Sequence, residues 1–390
     1  MQETSAATTQ NAATPSLPSR RAVAAKILPL TSVRFLAALF VVLFHLAPES
    51  WGIARSSYLG RLILLGYISV PFFFALSGLV LALAYLETRR LVGVRSFLTA
   101  RFARIYPALF ACLLFDCPHF LFKAEPHLFH DSVPRIFANF VVGFAALGAW
   151  FPHLEGLDLP SWSITVEFFF YLLFPLMAGW LWHLPARTLW LLAISVYVAN
   201  NLLVFALMHT SIDPLVLERD PLTHVADFVL GICLARLLLF ILRDRYWSSF
   251  AHRFSLVGAV LGATLILIIP ALPNQIPKEF MQHTLLFPVF AITILSLASG
   301  NPLLDAIFSQ RWFVILGEAS FALYLVHAPL HYYFAGLIVH HRVFVYPYIL
   351  SAIGLSLISF FYLETPARQW ILRLSHVRSI ENLPTQTLAQ

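Results

Sequence analysis

Charge is scarce in this sequence. Of 390 residues, Lys and Arg number 25 and Asp and Glu 19, so charged side chains make up 11% of the chain while hydrophobic ones make up 59%. An average globular chain carries about 25% charged residues, and less than half that share does not cover a water-soluble surface. Cysteine is nearly absent too. Cys112, Cys117 and Cys233 all fall in apolar segments, which argues against a disulfide framework and a thiolate metal site. There is no glycine-rich phosphate loop, no repeat of fixed period and no separate soluble domain. Residues 1–19 lack the apolar core of a secretory signal peptide. Being small and polar, they are expected to belong to a disordered tail over 1–26.

What is present instead is long stretches without charge. The runs 62–86, 188–212, 254–277, 280–304, 319–341 and 343–363 are each long enough to cross about 30 Å of hydrocarbon as a helix. They exclude a soluble enzyme, a disordered chain and a nucleic-acid-binding module. The expected fold is an all-α integral membrane protein, with about ten transmembrane helices in one bundle over 27–366 and a tail over 367–390. The helices are expected near 28–46, 62–86, 104–122, 162–184, 188–209, 222–242, 254–271, 280–298, 313–332 and 344–364.

The net charge of +6 then reports orientation, because Lys and Arg accumulate in cytoplasmic loops. The stretch 134–152 decides the count. If it does not span, 16 Lys and Arg lie on the side of the N-terminus against 7 on the other, whereas if it spans the division is 11 against 12. The first division obeys the positive-inside rule. Both termini are therefore expected in the cytoplasm, with 134–152 a re-entrant or interfacial segment on the outer side.

An ionisable side chain inside a span costs several kcal/mol in hydrocarbon and marks a candidate site facing the bundle interior. The first helix carries Arg34 and His45. Eleven residues apart, they share a face to within about 20° and lie about 16 Å apart along the axis. Either alone would suit a helix end, with Arg34 snorkelling to the interface. Together they put a fixed cation toward the cytoplasm and a titratable base further out. The helix opening PSWSITVEFFFYLLFP carries Glu167, with Tyr171 one turn deeper on the same face, and the helix near 313–332 adds His327. Counted from their cytoplasmic ends, His45, Glu167 and His327 fall at about 25, 22 and 21 Å, which is one depth. Ser77 and Gly78 lie near mid-membrane, where small residues more often permit close helix contact than do chemistry. Arg101 and Arg104 share a face at the cytoplasmic mouth and, beside Arg34, would suit an anionic phosphate ligand. Glu318, Glu364, Asp116, His119, His224 and Asp227 are further polar candidates to which the sequence assigns no role. A base in a low-dielectric site can take the proton of a hydroxyl that attacks a carbonyl.

These motifs, in this order from about residue 28 to 370, resemble the membrane acyltransferase-3 family, the bacterial multi-pass O-acyltransferases. They are Arg34 and His45 with ten residues between them, FFFALSG at 72–78, RFARIYP at 101–107, WSITVEFFFYLLFP at 162–175, LGEASFALYLVHAPL at 316–330 and Glu364-Thr365-Pro366. The resemblance implies transfer of an acyl group, most often acetyl, from cytosolic acyl-coenzyme A to a hydroxyl of an extracytoplasmic carbohydrate or glycolipid. It implies a bacterial inner membrane location and partnership with the lipid bilayer, acyl-coenzyme A and the acceptor, with a second copy or glycan-assembly proteins as further partners. Neither a metal nor nucleic acid is implied. Residue by residue, His45 matches the family's catalytic base and Arg34 its partner. Arg101 and Arg104 match the basic pair at the coenzyme A end, and Glu167 matches the carboxylate of the Trp-Ser…Glu motif, read as orienting His45 or the acceptor hydroxyl. Tyr171, His327 and Ser77 are the substrate-binding candidates. The chain departs from many members in having Thr31-Ser32 where they carry Asp-Gly. Some members continue into a soluble esterase-like domain; here the bundle is expected to act alone or with a separate partner. The alternative from another class is a proton-coupled transporter or exporter with Arg34, His45, Glu167 and His327 as its relay.

Overall fold

The computed structural model describes residues 20–86, 93–121, 133–151, 160–272 and 276–375. Most of the N-terminal tail, residues 376–390 and the loops at 122–132 and 152–159 lie outside the described residues. Those described are helical, without a strand among them. In chain order the helices are α1 (Arg20–Leu46), α2 (Tyr58–Leu64), α3 (Ser69–Leu81), α4 (Val94–Leu121), α5 (Val133–Phe144) and α6 (Ser161–His183). They continue with α7 (Ala186–Met208), α8 (Pro214–Arg219), α9 (Pro221–Arg243), α10 (Arg245–Ile268), α11 (Lys278–Met281), α12 (Phe287–Leu297) and α13 (Pro302–Phe308). The last are α14 (Arg311–Glu318), α15 (Ser320–His340), α16 (Val345–Ser359) and α17 (Thr365–Leu374).

Among the described residues 9 helices, some built from consecutive segments, are long and apolar enough to span, or up to 10 if the bent pair Thr284–Leu297 and Pro302–Phe308 counts as one. The chain is thus an all-α integral membrane protein. The bend of 97° in that pair follows Gly300, whose φ of 74° is a left-handed conformation that costs glycine little. α5 has 12 residues, a rise of about 18 Å against about 30 Å of hydrocarbon.

The helix expected near 313–332 is in fact two. It breaks at Ala319 between α14 and α15, where the Ser320 hydroxyl donates to the Gly317 carbonyl at 2.7 Å. The membrane-length segment is then Ser320–His340. Gly317 sits at this break because its Cα lies against the first helix: a Cβ there would stand 2.0 Å from the Thr31 carbonyl oxygen.

Two further glycines set the centre of the bundle. A Cβ on Gly78 of α3 would lie 2.1 Å from the Phe228 carbonyl oxygen, and one on Gly231 of α9 would lie 2.1 Å from that of Ala75. The two backbones cross in contact, each through the other's glycine, which is the close approach that small residues permit between membrane helices. Phe170 of α6 stacks on Phe228 with centroids 4.7 Å apart and meets Phe74 edge-on at 5.2 Å, so α3, α6 and α9 form one packed wall. Gly231→Ala is expected to lower the melting temperature in detergent and broaden the size-exclusion peak, because overpacking costs about 1–3 kcal/mol. Gly354→Ala, where an added Cβ meets nothing within 4 Å, is expected to melt no lower than wild type.

Candidate functional site

Two polar cavities lie inside the bundle. The larger, about 840 Å³, is walled by α1, α3, α4, α6 and α15 and holds Arg34, Ser77, Arg101, Arg104, Glu167 and Tyr171. Arg101 is 2% exposed. Its guanidinium carbon stands 5.6 Å from the ring centres of Tyr85 and Tyr171 and 5.8 Å from that of Phe97, and its Nη2 donates to the Tyr85 hydroxyl at 3.3 Å. A desolvated cation over an aromatic face gains about 2 kcal/mol, so this cage holds Arg101 where lipid would expel it. Glu167 accepts from the Tyr171 hydroxyl at 2.5 Å and from the Ser77 hydroxyl at 3.2 Å. The lining of this cavity carries three guanidiniums, those of Arg34, Arg101 and Arg104, and one carboxylate, that of Glu167. Three cations against one carboxylate is an imbalance that favours an anionic guest.

The second cavity, about 440 Å³, contains His45 with Tyr67, Trp162, Glu218, His224 and Gln282. His45 is exposed on the wall of this space. Its Nδ1 is 3.0 Å from the Val41 carbonyl oxygen. A carbonyl only accepts, so Nδ1 carries the hydrogen and Nε2 keeps the lone pair of a base. His327 is fully buried, with its Nε2 3.3 Å from the same Nδ1, and the Tyr348 hydroxyl donates to the His327 carbonyl at 2.8 Å. At the rim, Lys278 Nζ donates to Glu218 Oε2 at 2.9 Å and stands 5.6 Å from the Tyr67 ring centre.

Val70 and Tyr324 line both cavities. They are the wall between the cationic chamber and the histidine chamber. Tyr324 is held there by a hydrogen bond of 2.8 Å between its hydroxyl and that of Ser163.

The structure brings Arg34, Arg101, Arg104, Glu167, Tyr171 and Ser77 into one chamber, and His45 with His327 at another. Glu167 therefore does not stand beside His45 as its depth suggested; the group that touches His45 is His327. Rotation about the helix axis, which a rise per residue does not report, separates residues of equal depth. Tyr324 was not singled out from the sequence. Its one signal was its place three residues before His327, one turn away on the same face.

A family model described as an acyltransferase domain matches residues 30–363. The acyltransferase MdmB of Streptomyces mycarofaciens is 31% identical over 318 residues, which are 76% of this chain and 77% of that protein. The O-acetyltransferase OatA of Staphylococcus aureus is 24% identical over 364 residues, 87% of this chain and 57% of that protein. No solved structure matches at a significant level.

The Glu167 network yields a stability test. Glu167→Ala removes the acceptor of two inward hydroxyls and the carboxylate that faces three guanidiniums in the cavity. It should lower the melting temperature in detergent by the equivalent of about 1–3 kcal/mol. Glu167→Gln, which keeps an acceptor oxygen, should lose less.

Proposed function

Since the chain belongs to the acyltransferase-3 family, matched from residue 30 to 363, we propose that it moves an acyl group from coenzyme A to a hydroxyl across the wall between its two chambers. The observation that carries this reading is that wall. A cation-lined chamber and a chamber with an accessible imidazole lone pair share Tyr324 and Val70, so two substrates entering from opposite ends meet there.

In this reading the donor is acyl-coenzyme A, acetyl by preference. Its phosphates lie with Arg34, Arg101 and Arg104, whose guanidiniums make charge-assisted hydrogen bonds to anionic oxygens. The acceptor is a carbohydrate or glycolipid in the second chamber. Trp162 and Tyr67 offer flat apolar faces to a sugar ring there, and Glu218 and Gln282 offer partners to its hydroxyls. The membrane is a bacterial inner membrane with both termini in the cytoplasm, as the arginine and lysine division suggests.

The chemistry follows from the tautomer of His45. Nε2 takes the proton of the acceptor hydroxyl as its oxygen attacks the thioester carbonyl. The tetrahedral intermediate collapses, the carbon–sulfur bond breaks, and the proton on Nε2 passes to the departing thiolate. Ester and free thiol result and His45 is again neutral. The Val41 carbonyl and His327 Nε2 both face the Nδ1–H, so they orient the ring and favour the imidazolium while it lasts.

Two variants test the assignment in transfer of labelled acetyl by purified protein. His45→Ala should lower turnover by about 10²–10⁴-fold, the usual worth of a general base, with its size-exclusion profile unchanged; wild-type turnover by this variant would overturn the role. Arg104→Ala should raise the donor KM about tenfold, the loss of one hydrogen bond to a charged group, with little change in the acceptor KM. If instead the purified chain transfers no acetyl and carries protons across vesicles, the transporter alternative gains.

A further inference from the structure

Apart from both chambers' catalytic groups, three buried side chains meet with five of their six polar atoms without a hydrogen-bond partner. His224 and Asp227 lie one turn apart on α9. His283 sits between α11 and the short 3-10 turn that leads into α12. All three are at most 1% exposed. One potential ligand atom from each lies within 4.8 Å of the other two, and the His224 and His283 rings are 4.5 Å apart.

Their hydrogen positions conflict. His224 Nε2 is 2.9 Å from the Glu218 carbonyl oxygen, which only accepts, so the hydrogen of a neutral His224 is on Nε2 and its Nδ1 presents a lone pair. An Asp227 carboxylate oxygen lies 3.5 Å from that nitrogen. Two acceptors thus face each other in a buried place, and only a cation or a proton between them makes this favourable. Both nitrogens of His283 and both oxygens of Asp227 lack a hydrogen-bond partner. A proton would answer the His224–Asp227 pair and leave His283 unanswered. A metal ion answers all three. The 3.5 Å separation is also close to the roughly 3.4 Å edge of a tetrahedron with bonds of 2.0–2.1 Å to nitrogen and oxygen. The Glu218 carbonyl on the far ring nitrogen is the outer partner that ligating histidines usually have.

We propose that His224, Asp227 and His283 bind a divalent zinc-class cation. Two imidazoles and a carboxylate in a buried setting suit zinc rather than magnesium or calcium, which take oxygen ligands and higher coordination. The site ties α9 to the start of α12. Its His224 also lines the histidine chamber beside Trp162 and Gln282, and a three-ligand set leaves a fourth position for water or an acceptor oxygen from that chamber. The cation was not expected from the sequence, and its presence does not depend on the acyl-transfer reading.

The test is metal analysis of the full chain, purified in detergent on a tag without histidine, exposed to zinc chloride and passed through gel filtration. The expected result is a stoichiometry near one zinc per chain, falling to background in His283→Ala and in Asp227→Asn and unchanged in His45→Ala. Should the variants fail to fold, the wild type alone decides. Zinc should raise the melting temperature of chelator-treated protein, since a ligand that binds the folded state stabilises it, and cobalt should give the intense visible bands of tetrahedral coordination. A wild type that leaves gel filtration metal-free with an unchanged melting temperature would overturn the site and leave a shared proton as the answer. Zinc retained equally by both folded variants would overturn it as well, by putting the metal elsewhere.

Discussion

Hydrocarbon does not solvate charge, and the arrangement of this protein follows from that constraint. An ionisable group at membrane depth has to face the bundle interior or water, and an unpartnered one costs several kcal/mol. The polar groups of α1, α3, α4, α6 and α15 accordingly turn inward and are held by specific means. The guanidinium of Arg101 is caged by Tyr85, Phe97 and Tyr171. The carboxylate of Glu167 is met by two hydroxyls, and the imidazole of His45 is fixed by a backbone carbonyl. Helices far from the chambers show the converse. On α7 and α10 large apolar side chains such as Trp190, Leu191, Val257 and Val260 are exposed, as a surface against lipid tails requires.

Without a hydrophobic force between helices in lipid, close backbone packing has to position these groups. Ser77 and Gly78 divide that work between neighbouring residues. Consecutive residues of a helix point about 100° apart, so Ser77 reaches Glu167 on one side of α3 while Gly78 admits the backbone of α9 on another. α3 is therefore a partition. On one side lies the cationic chamber; on the other lies the helix that carries His224 and Asp227. Gly317 does the same for α1, bringing α14 against Thr31 and leaving Arg34, one turn on, at the chamber.

Much of this was legible in the sequence. Charge-free runs gave the helices, and a spacing of eleven residues put Arg34 and His45 on one face. What stayed hidden is what depends on rotation and on neighbours. The partner of His45 lies 282 residues away, and Glu167, equal in calculated depth, turns into the other chamber. The depth of His327 assumes one helix over 313–332, yet α15 begins at Ser320 after a break, so that depth rests on turns that belong to another helix. His283 carried no signal at all. A single histidine at the head of an apolar run gains meaning only when α9 brings Asp227 to it.

Under the proposed chemistry, the distance between the arginines and His45 is itself useful. A unit charge about 4 Å from another interacts by about 4 kcal/mol at an effective dielectric of 20, and about 16 Å away by about 1 kcal/mol. Guanidiniums beside His45 would oppose the imidazolium formed on proton transfer, and a barrier raised by 4 kcal/mol slows a reaction by about three orders of magnitude. Over the about 16 Å of helix rise that separates Arg34 from His45 the penalty falls to about 1 kcal/mol. The same arginines have to stay close to one another to hold a polyanion. Two chambers meeting at Tyr324 satisfy both demands. A reactive carbon at the end of a long, flexible donor fits that layout, because its charge rests among the cations while its thioester lies at the wall beside His45.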